Sequence, residues 1–229
     1  MKITEPLTIG TYKDKQKIYI KRPCKEFAAI EAYRRAFAEE WETGKQCTHP
    51  NLLRYLAMDK DDKGEYIAME YVAALPLHRA VVEESINLHT ESQARKIMMQ
   101  LLDAVEYLHS KGISHLNIRP ENILITRRAL DVKLAHPAGS YLNCEPSFFL
   151  IKEKYSAPEL FHQEEIQLPT ACDIYSLGKV MEFLFSFSHL SIGIQQVIRR
   201  ATDKCPEKRY ATVGQLRKAL KQSRYTDWG

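Results

Sequence analysis

ISHLNIRPENIL, residues 113–124, is the stretch whose reading decides the fold. It crowds His115, Asn117, Arg119 and Asn122 into a short polar loop, with Glu121 as its only acid. Just upstream, TESQARKIMMQLLDAVEYLHSKG (90–112) is the clearest helical segment of the chain. Thr90 and Gln93 have capping-box spacing. Ala94, Ile97, Met98, Leu101, Leu102, Val105 and Leu108 form one wide apolar stripe, and Gly112 supplies a stop. The polar loop therefore hangs from the end of a strongly specified helix.

Working outward, the pattern changes near MEYVAALPL (69–77). Before it, PLTIGTY and KIYIKRP read as short strands, being β-branched and aromatic runs. Phe27, Ile30, Phe37, Ala38 and Trp41 recur at steps that predict a helix over 25–43, with Gly44 as its stop. NLLRYLAMDKDDKGEYIAMEYV reads as a hairpin around a polar turn at 59–64. After Val72 the chain reads as mostly helix. One helix should start near Thr170 and run through DIYSLGKVMEFLFSF, apolar nearly all round and so buried. Two more are expected at IGIQQVIRRA and TVGQLRKALKQ. The final SRYTDWG reads as a loose tail. The expected class is α+β in two lobes, a strand-rich part over 1–72 and a helical part over 73–222, followed by the tail 223–229.

A chain of 229 residues can bury a sizeable core. Its net charge of +4 is mild, and basic residues form no block. Neither nucleic acid nor a membrane surface is expected as a partner. Cys24, Cys47, Cys144, Cys172 and Cys205 are scattered, with no C-x-x-C pair. That usage suits a reducing compartment and suggests no metal site. No stretch is apolar enough for a signal peptide at the start or for a membrane span. A cytoplasmic location is the expectation.

Eight short segments, in order, resemble the eukaryotic-type serine/threonine protein kinase domain. They are IYIK (18–21), THPNLLRYL, IAMEYV, YLHSKGISHLNIRPENILI, VKLAHPAG, YSAPEL, DIYSLG and CPEKRY. The resemblance spans nearly the whole chain and implies the two-lobed kinase fold. It also marks departures. Where the family has H-R-D-L-K-P-E-N, this chain has His115-Leu116-Asn117-Ile118-Arg119-Pro120-Glu121-Asn122. Asn117 replaces the aspartate that accepts the substrate proton, and an amide has no basicity to offer. His136, followed by Pro137 and Ala138, replaces the metal-binding aspartate of D-F-G, and imidazole is a poor ligand for Mg²⁺. Of the glycine-rich phosphate loop only Gly10 is present, so the strand-rich lobe reads as shortened.

The resemblance places a vestigial nucleotide site at Lys21, Glu40, Met69, Tyr71 and Leu124. Lys21 is the anchor lysine, with a solvated strand-end lysine as the plain alternative. Glu40 is its helix partner, with Glu39 beside it. Met69 is the gatekeeper, and Leu124 floors the pocket. Tyr19 stands where an alanine lies against adenine and should partly fill that slot. Gly44 stands where a bulky side chain is usual. Arg119 and Asn122 are remnants of the catalytic apparatus. His115, Glu159, Asp173 and Arg209 match architectural positions, with Glu159 and Arg209 expected as a buried ion pair and Asp173 as a brace for the catalytic loop. Lys152 stands where a phosphorylatable threonine is common, Tyr155 reads as packed rather than phosphorylated, and Phe148–Ile151 form an apolar run. No catalytic residue is intact, no metal site is expected, and no cofactor is expected beyond weak ATP binding. The resemblance thus implies an inactive kinase-like domain that acts through a protein partner. The alternative is an atypical kinase or nucleotide sensor working through Lys21.

Overall fold

The computed structural model describes residues 7–12, 15–86, 88–137, 154–161, 169–187 and 191–223. The expected tail beyond Ser223, the run Phe148–Ile151, Lys152 and Ala138 lie outside the described residues.

The first lobe is a four-stranded antiparallel sheet in the order β1-β2-β4-β3, with one helix against it. Its strands are β1 (Thr8–Thr11), β2 (Lys17–Lys21), β3 (Tyr55–Asp61) and β4 (Gly64–Glu70). The hairpin between β3 and β4 turns at Gly64, whose φ of +108° is open only to a residue without Cβ. The helix α1 runs over Glu31–Gly44, six residues later than the sequence pattern suggested at its start. Residues 25–30 are wound instead as tight turns, Phe27 N–H to Cys24 O at 3.1 Å and Ile30 N–H to Phe27 O at 2.9 Å. The apolar spacing of Phe27 and Ile30 is shared by a turn and a helix, so periodicity alone does not separate them.

Helices dominate the second lobe: α2 (Leu77–Val82), α3 (Glu91–Ser110), α4 (Pro169–Phe185), α5 (Ile192–Ala201) and α6 (Val213–Gln222). The Thr90–Gln93 capping box forms, with the Gln93 N–H donating to the Thr90 hydroxyl. Leu101, Leu102 and Val105 of α3, Leu177 and Met181 of α4, Ile194 of α5 and Leu216 of α6 are buried in one core. Arg95, buried on α3, donates to the Ser223 hydroxyl at 2.9 Å and to the Leu220 carbonyl, tying the end of α6 to α3. The lobe also holds a three-stranded sheet missing from the sequence reading: β5 (Leu75–Pro76), β6 (Ile123–Ile125) and β7 (Val132–Leu134). Strands this short have no readable alternation.

The lobes are laced together across residues 51–53. Leu53 N–H donates to Leu134 O at 2.9 Å, and Leu134 N–H to Asn51 O at 2.8 Å. Lys133 of β7 reaches Glu70 at the end of β4 at 2.6 Å. None of the described helices is long and apolar enough to cross a membrane.

Candidate functional site

The polar loop after α3 is held from below by Asp173. This residue of α4 is fully buried, and its carboxylate accepts the backbone N–H groups of His115 and Leu116, each at 2.7 Å. His109 joins the same carboxylate at 2.8 Å. These bonds hold Leu116 at a φ of +59°, a region that a side chain with Cβ rarely enters. The Leu116 side chain is buried with Ala157, Leu160 and Cys172. Apolar packing thus joins the loop to the turn at Pro158–Phe161.

Asn117 and Asn122 spend their amides on this frame. Asn117 Nδ2 donates to the His136 carbonyl at 3.0 Å, and Asn122 Nδ2 donates to the Asn117 carbonyl at 2.9 Å. Ala135 N–H closes the bracket on Asn122 O at 2.9 Å. Arg119 lies near the surface, 3.4 Å from Glu121. His136 sits at a φ of +63°. Burial pushes its pKa well below the usual histidine range, and the positive charges of Lys21 and Arg119, with that of His115 once it is protonated, add to that. It is therefore neutral at physiological pH. His115 is 1% exposed, and burial lowers its pKa to about 4 despite the opposing pull of Asp173. Its Nδ1 accepts the Asn117 N–H at 3.2 Å.

On the opposite wall, Lys21 of β2 and Glu40 of α1 form a two-pronged pair, Nζ to the carboxylate oxygens at 2.5 and 2.6 Å. Both are buried, at 2% and 1% exposure, while Glu39 faces solvent. Burial lowers the Lys21 pKa more than Glu40 raises it. A third member, missed in the sequence, is Tyr55, whose hydroxyl donates to Glu40 Oε1 at 2.5 Å. Its ring lies over Gly44: a Cβ there would fall 2.7 Å from the ring edge. Gly44 therefore reads as a seat for Tyr55, since β3 supplies the bulk that α1 omits. Beside it, Gly44, Cys47, Tyr55, His115, Leu134 and Pro137 line a small apolar cavity of about 20 Å³.

Tyr19 sits against the connection between the two lobes. It shares a face of β2 with Lys21, two residues on, and stands opposite Met69 of β4. Tyr19 is 8% exposed, and its hydroxyl donates to the Val72 carbonyl at 2.8 Å. Burial raises its pKa, so it remains a donor. It belongs to a buried cluster with Met69, Leu124 and Ala135, and the Tyr71 ring is 5.2 Å away.

At the far end of the second lobe Arg209 clamps Glu159, Nη1 to Oε1 at 2.5 Å and Nη2 to Oε2 at 2.8 Å. Burial pushes the Glu159 pKa up, but the hydrogen bonds and charge of Arg209, a backbone N–H and the Cys172 thiol together outweigh it, and the net shift is downward. Tyr155 is half-buried and packs against the second-lobe core.

The resemblance implies a magnesium ion, and Asn117, Asn122 and His136 do not fit one. Asn117 and Asn122 turn their NH₂ groups to backbone carbonyls, and a neutral imidazole stands at the third position. A hard dication takes anionic and carbonyl oxygens. Among the described residues no group of three or more His, Cys, Asp or Glu could hold a metal.

Comparison with known proteins places these features in context. The family described as "Protein kinase domain" matches residues 8–222. The human serine/threonine-protein kinase ULK3 is 29% identical over 199 residues, 80% of this chain and 41% of that protein. The Caenorhabditis elegans serine/threonine-protein kinase chk-2 is 31% identical over 161 residues, 66% of this chain and 33% of that protein. The chain thus matches well under half the length of these relatives. The crystal structure of the Mycobacterium tuberculosis PknI kinase domain superposes with a TM-score of 0.77 at 18% identity, over 97% of this chain and 91% of that one. Rad53 1-466 in complex with AMP-PNP superposes with a TM-score of 0.74 at 21% identity, over 96% and 61%.

Proposed function

Because the chain belongs to the protein kinase domain family, we propose that it is a kinase-fold module that transfers no phosphate and acts in signalling by holding a protein partner. The observation that carries this reading is the Asn117 amide donating to the His136 carbonyl. Phosphoryl transfer is positioning and charge neutralisation. Its base must accept a proton, and the group in that place is an amide already turned to donate. Losing a general base forfeits about two to four orders of magnitude in rate. The neutral His136 removes the second charge.

What remains serves architecture. Asp173 fixes the loop backbone, Arg209 and Glu159 fix the turn at Pro158–Phe161, and Lys21, Glu40 and Tyr55 fix α1 against the sheet. A rigid two-lobed scaffold suits recognition by a partner, and a cytoplasmic setting suits its thiols. The rival reading, an atypical kinase or nucleotide sensor using Lys21, draws on the intact Lys21–Glu40 pair and on the relatives named as kinases. Phosphotransfer from radiolabelled ATP to the chain itself and to generic acceptor proteins decides between the two. The module reading expects incorporation no higher than in Lys21→Met. Magnesium-dependent incorporation by the wild type that disappears in a Lys21→Met chain shown by circular dichroism to be folded at the assay temperature would establish the rival.

A further inference from the structure

We propose that the outer edge of β1 is a docking site for an extended, acidic segment of a protein partner, which pairs with β1 as a fifth strand of the first-lobe sheet. The inference rests on the proposed function only in that the partner is a protein, and it names the kind of segment that partner offers.

Three observations carry it. First, the edge presents backbone groups that the sheet does not use. β1 is a terminal strand of the order β1-β2-β4-β3, and among the described residues no strand pairs with its outer side. Tyr12 N–H donates inward, to Gln16 O at 2.9 Å. Backbone direction alternates along an antiparallel strand. In the register Thr8↔Ile20 to Thr11↔Lys17, Thr8 and Gly10 therefore turn their N–H and C=O groups to β2, and Ile9 and Thr11 turn theirs outward. An incoming extended chain exchanges a pair of hydrogen bonds with each of these two residues. Second, this edge lacks the protection that the opposite one has. β1 holds no charged residue and no proline, and its Ile9 is 62% exposed. At the other edge β3 presents Asp59, Lys60 and Asp61, with a register shift between Tyr55 and Ala57. Charges and irregular pairing are what discourage strand addition. A β-branched side chain opposite Ile9 finds an apolar neighbour. On the reverse face Gly10 offers no side chain, and Ile20 of β2 leans over it. Third, the hairpin is positive. Among the described residues of 7–21 the exposed charges are Lys15 and Lys17. Lys17 stands opposite Thr11 and also lies over the Tyr71 ring, at 5.6 Å. A second copy of the chain would bring the same positive hairpin, whereas an acidic segment complements it.

The probe is the peptide Asp-Val-Thr-Val-Thr-Val, blocked at both ends. Laid antiparallel to β1, its first valine stands opposite Thr11 and its second opposite Ile9, with the aspartate at the lysine end. A control peptide is N-methylated at those two valines, so it keeps the charge and side chains but loses the donors. By calorimetric titration the wild-type chain should bind the probe with a Kd of about 1 mM or tighter, and the control at least about tenfold more weakly. Amide hydrogen exchange at Ile9 and Thr11 should slow at least about fivefold with the probe, while amides of α3 stay unchanged. Thr11→Pro removes one outward N–H and should weaken probe binding at least about tenfold. Circular dichroism and a cooperative melt establish that the variant is folded. If it is not, Ile9→Pro removes the other outward N–H with the same expectation. The proposal is overturned if the wild type does not bind the probe, if it binds probe and control equally, or if a folded proline variant binds as the wild type does. A dimer in sedimentation equilibrium that Thr11→Pro abolishes would assign the edge to a second copy and overturn it too. Magnesium-dependent phosphotransfer would instead strike at the proposed function and leave the peptide result standing, so the two failures are distinguishable.

Discussion

Replacing Lys21 with methionine should destabilise the protein far more than the loss of a surface charge would. Lys21 and Glu40 are 2% and 1% exposed, and the ammonium touches both carboxylate oxygens, at 2.5 and 2.6 Å. Lys21→Met leaves the Glu40 carboxylate buried beside the Tyr55 hydroxyl without its cation. Breaking one side of a buried pair costs about 3–5 kcal/mol. At about 2–4 °C per kcal/mol for a domain of this size, the melting temperature should fall by about 6–20 °C. The double variant Lys21→Met/Glu40→Leu removes both charges and should return to within about 2 kcal/mol of wild type, the remainder being the acceptor lost by the Tyr55 hydroxyl. Urea unfolding followed by circular dichroism measures all three chains. A single-variant cost below about 1 kcal/mol would refute the reasoning, because that is the value of a solvated pair. A double variant as unstable as the sum of the two singles would refute it equally.

Further outcomes follow from the same geometry. His115 is buried and neutral, with its pKa lowered to about 4 from 6.5. Its contribution is complete above pH 6.5 and is lost as pH falls toward 4, about 2 kcal/mol by pH 5. His136, lowered in the same direction, adds to the loss, so melting temperature should fall steadily over that window, and a flat profile would contradict both. Gly44→Ala places a Cβ 2.7 Å from the Tyr55 ring and should cost about 1–3 kcal/mol in chemical unfolding, with Tyr55→Leu relieving part of it. Arg209→Met strands the Glu159 carboxylate that it holds at 2.5 Å and should cost about 3–5 kcal/mol, read as a lower urea midpoint with an unchanged m-value.

How much of this was legible depended on the length of the signal. Helix α3 carried a capping box and a seven-residue stripe, and it formed where expected. The lobe order followed from the shift from alternation to helical spacing after Val72. Short elements escaped: β5, β6 and β7 hold two or three residues each, too few for a period to show. The start of α1 was misplaced because turns and helices share a three-residue spacing. At the site, residues fixed by sequence-local motifs could be named, including Lys21, Asn117 and Asp173. Tyr55 and Leu116 could not. Tyr55 looks like any strand aromatic until the fold brings it to Glu40, fifteen residues away. The one available signal was the glycine at 44, since a missing side chain inside a buried helix implies that something large lies against it. Leu116 betrays nothing in sequence of its positive φ, which Asp173 imposes from 57 residues downstream.

The most direct test of the central claim, that this cleft performs no metal-assisted phosphate chemistry, is a thermal-shift titration of the wild-type chain with ATP, with and without magnesium. A ligand that binds only the folded state raises the melting temperature by mass action. The account predicts no shift at millimolar ATP in either condition, because Tyr19 is packed against the connection between the lobes and neither Asn117 nor the neutral His136 carries a negative charge. A saturable shift that appears with magnesium and vanishes with EDTA would contradict it.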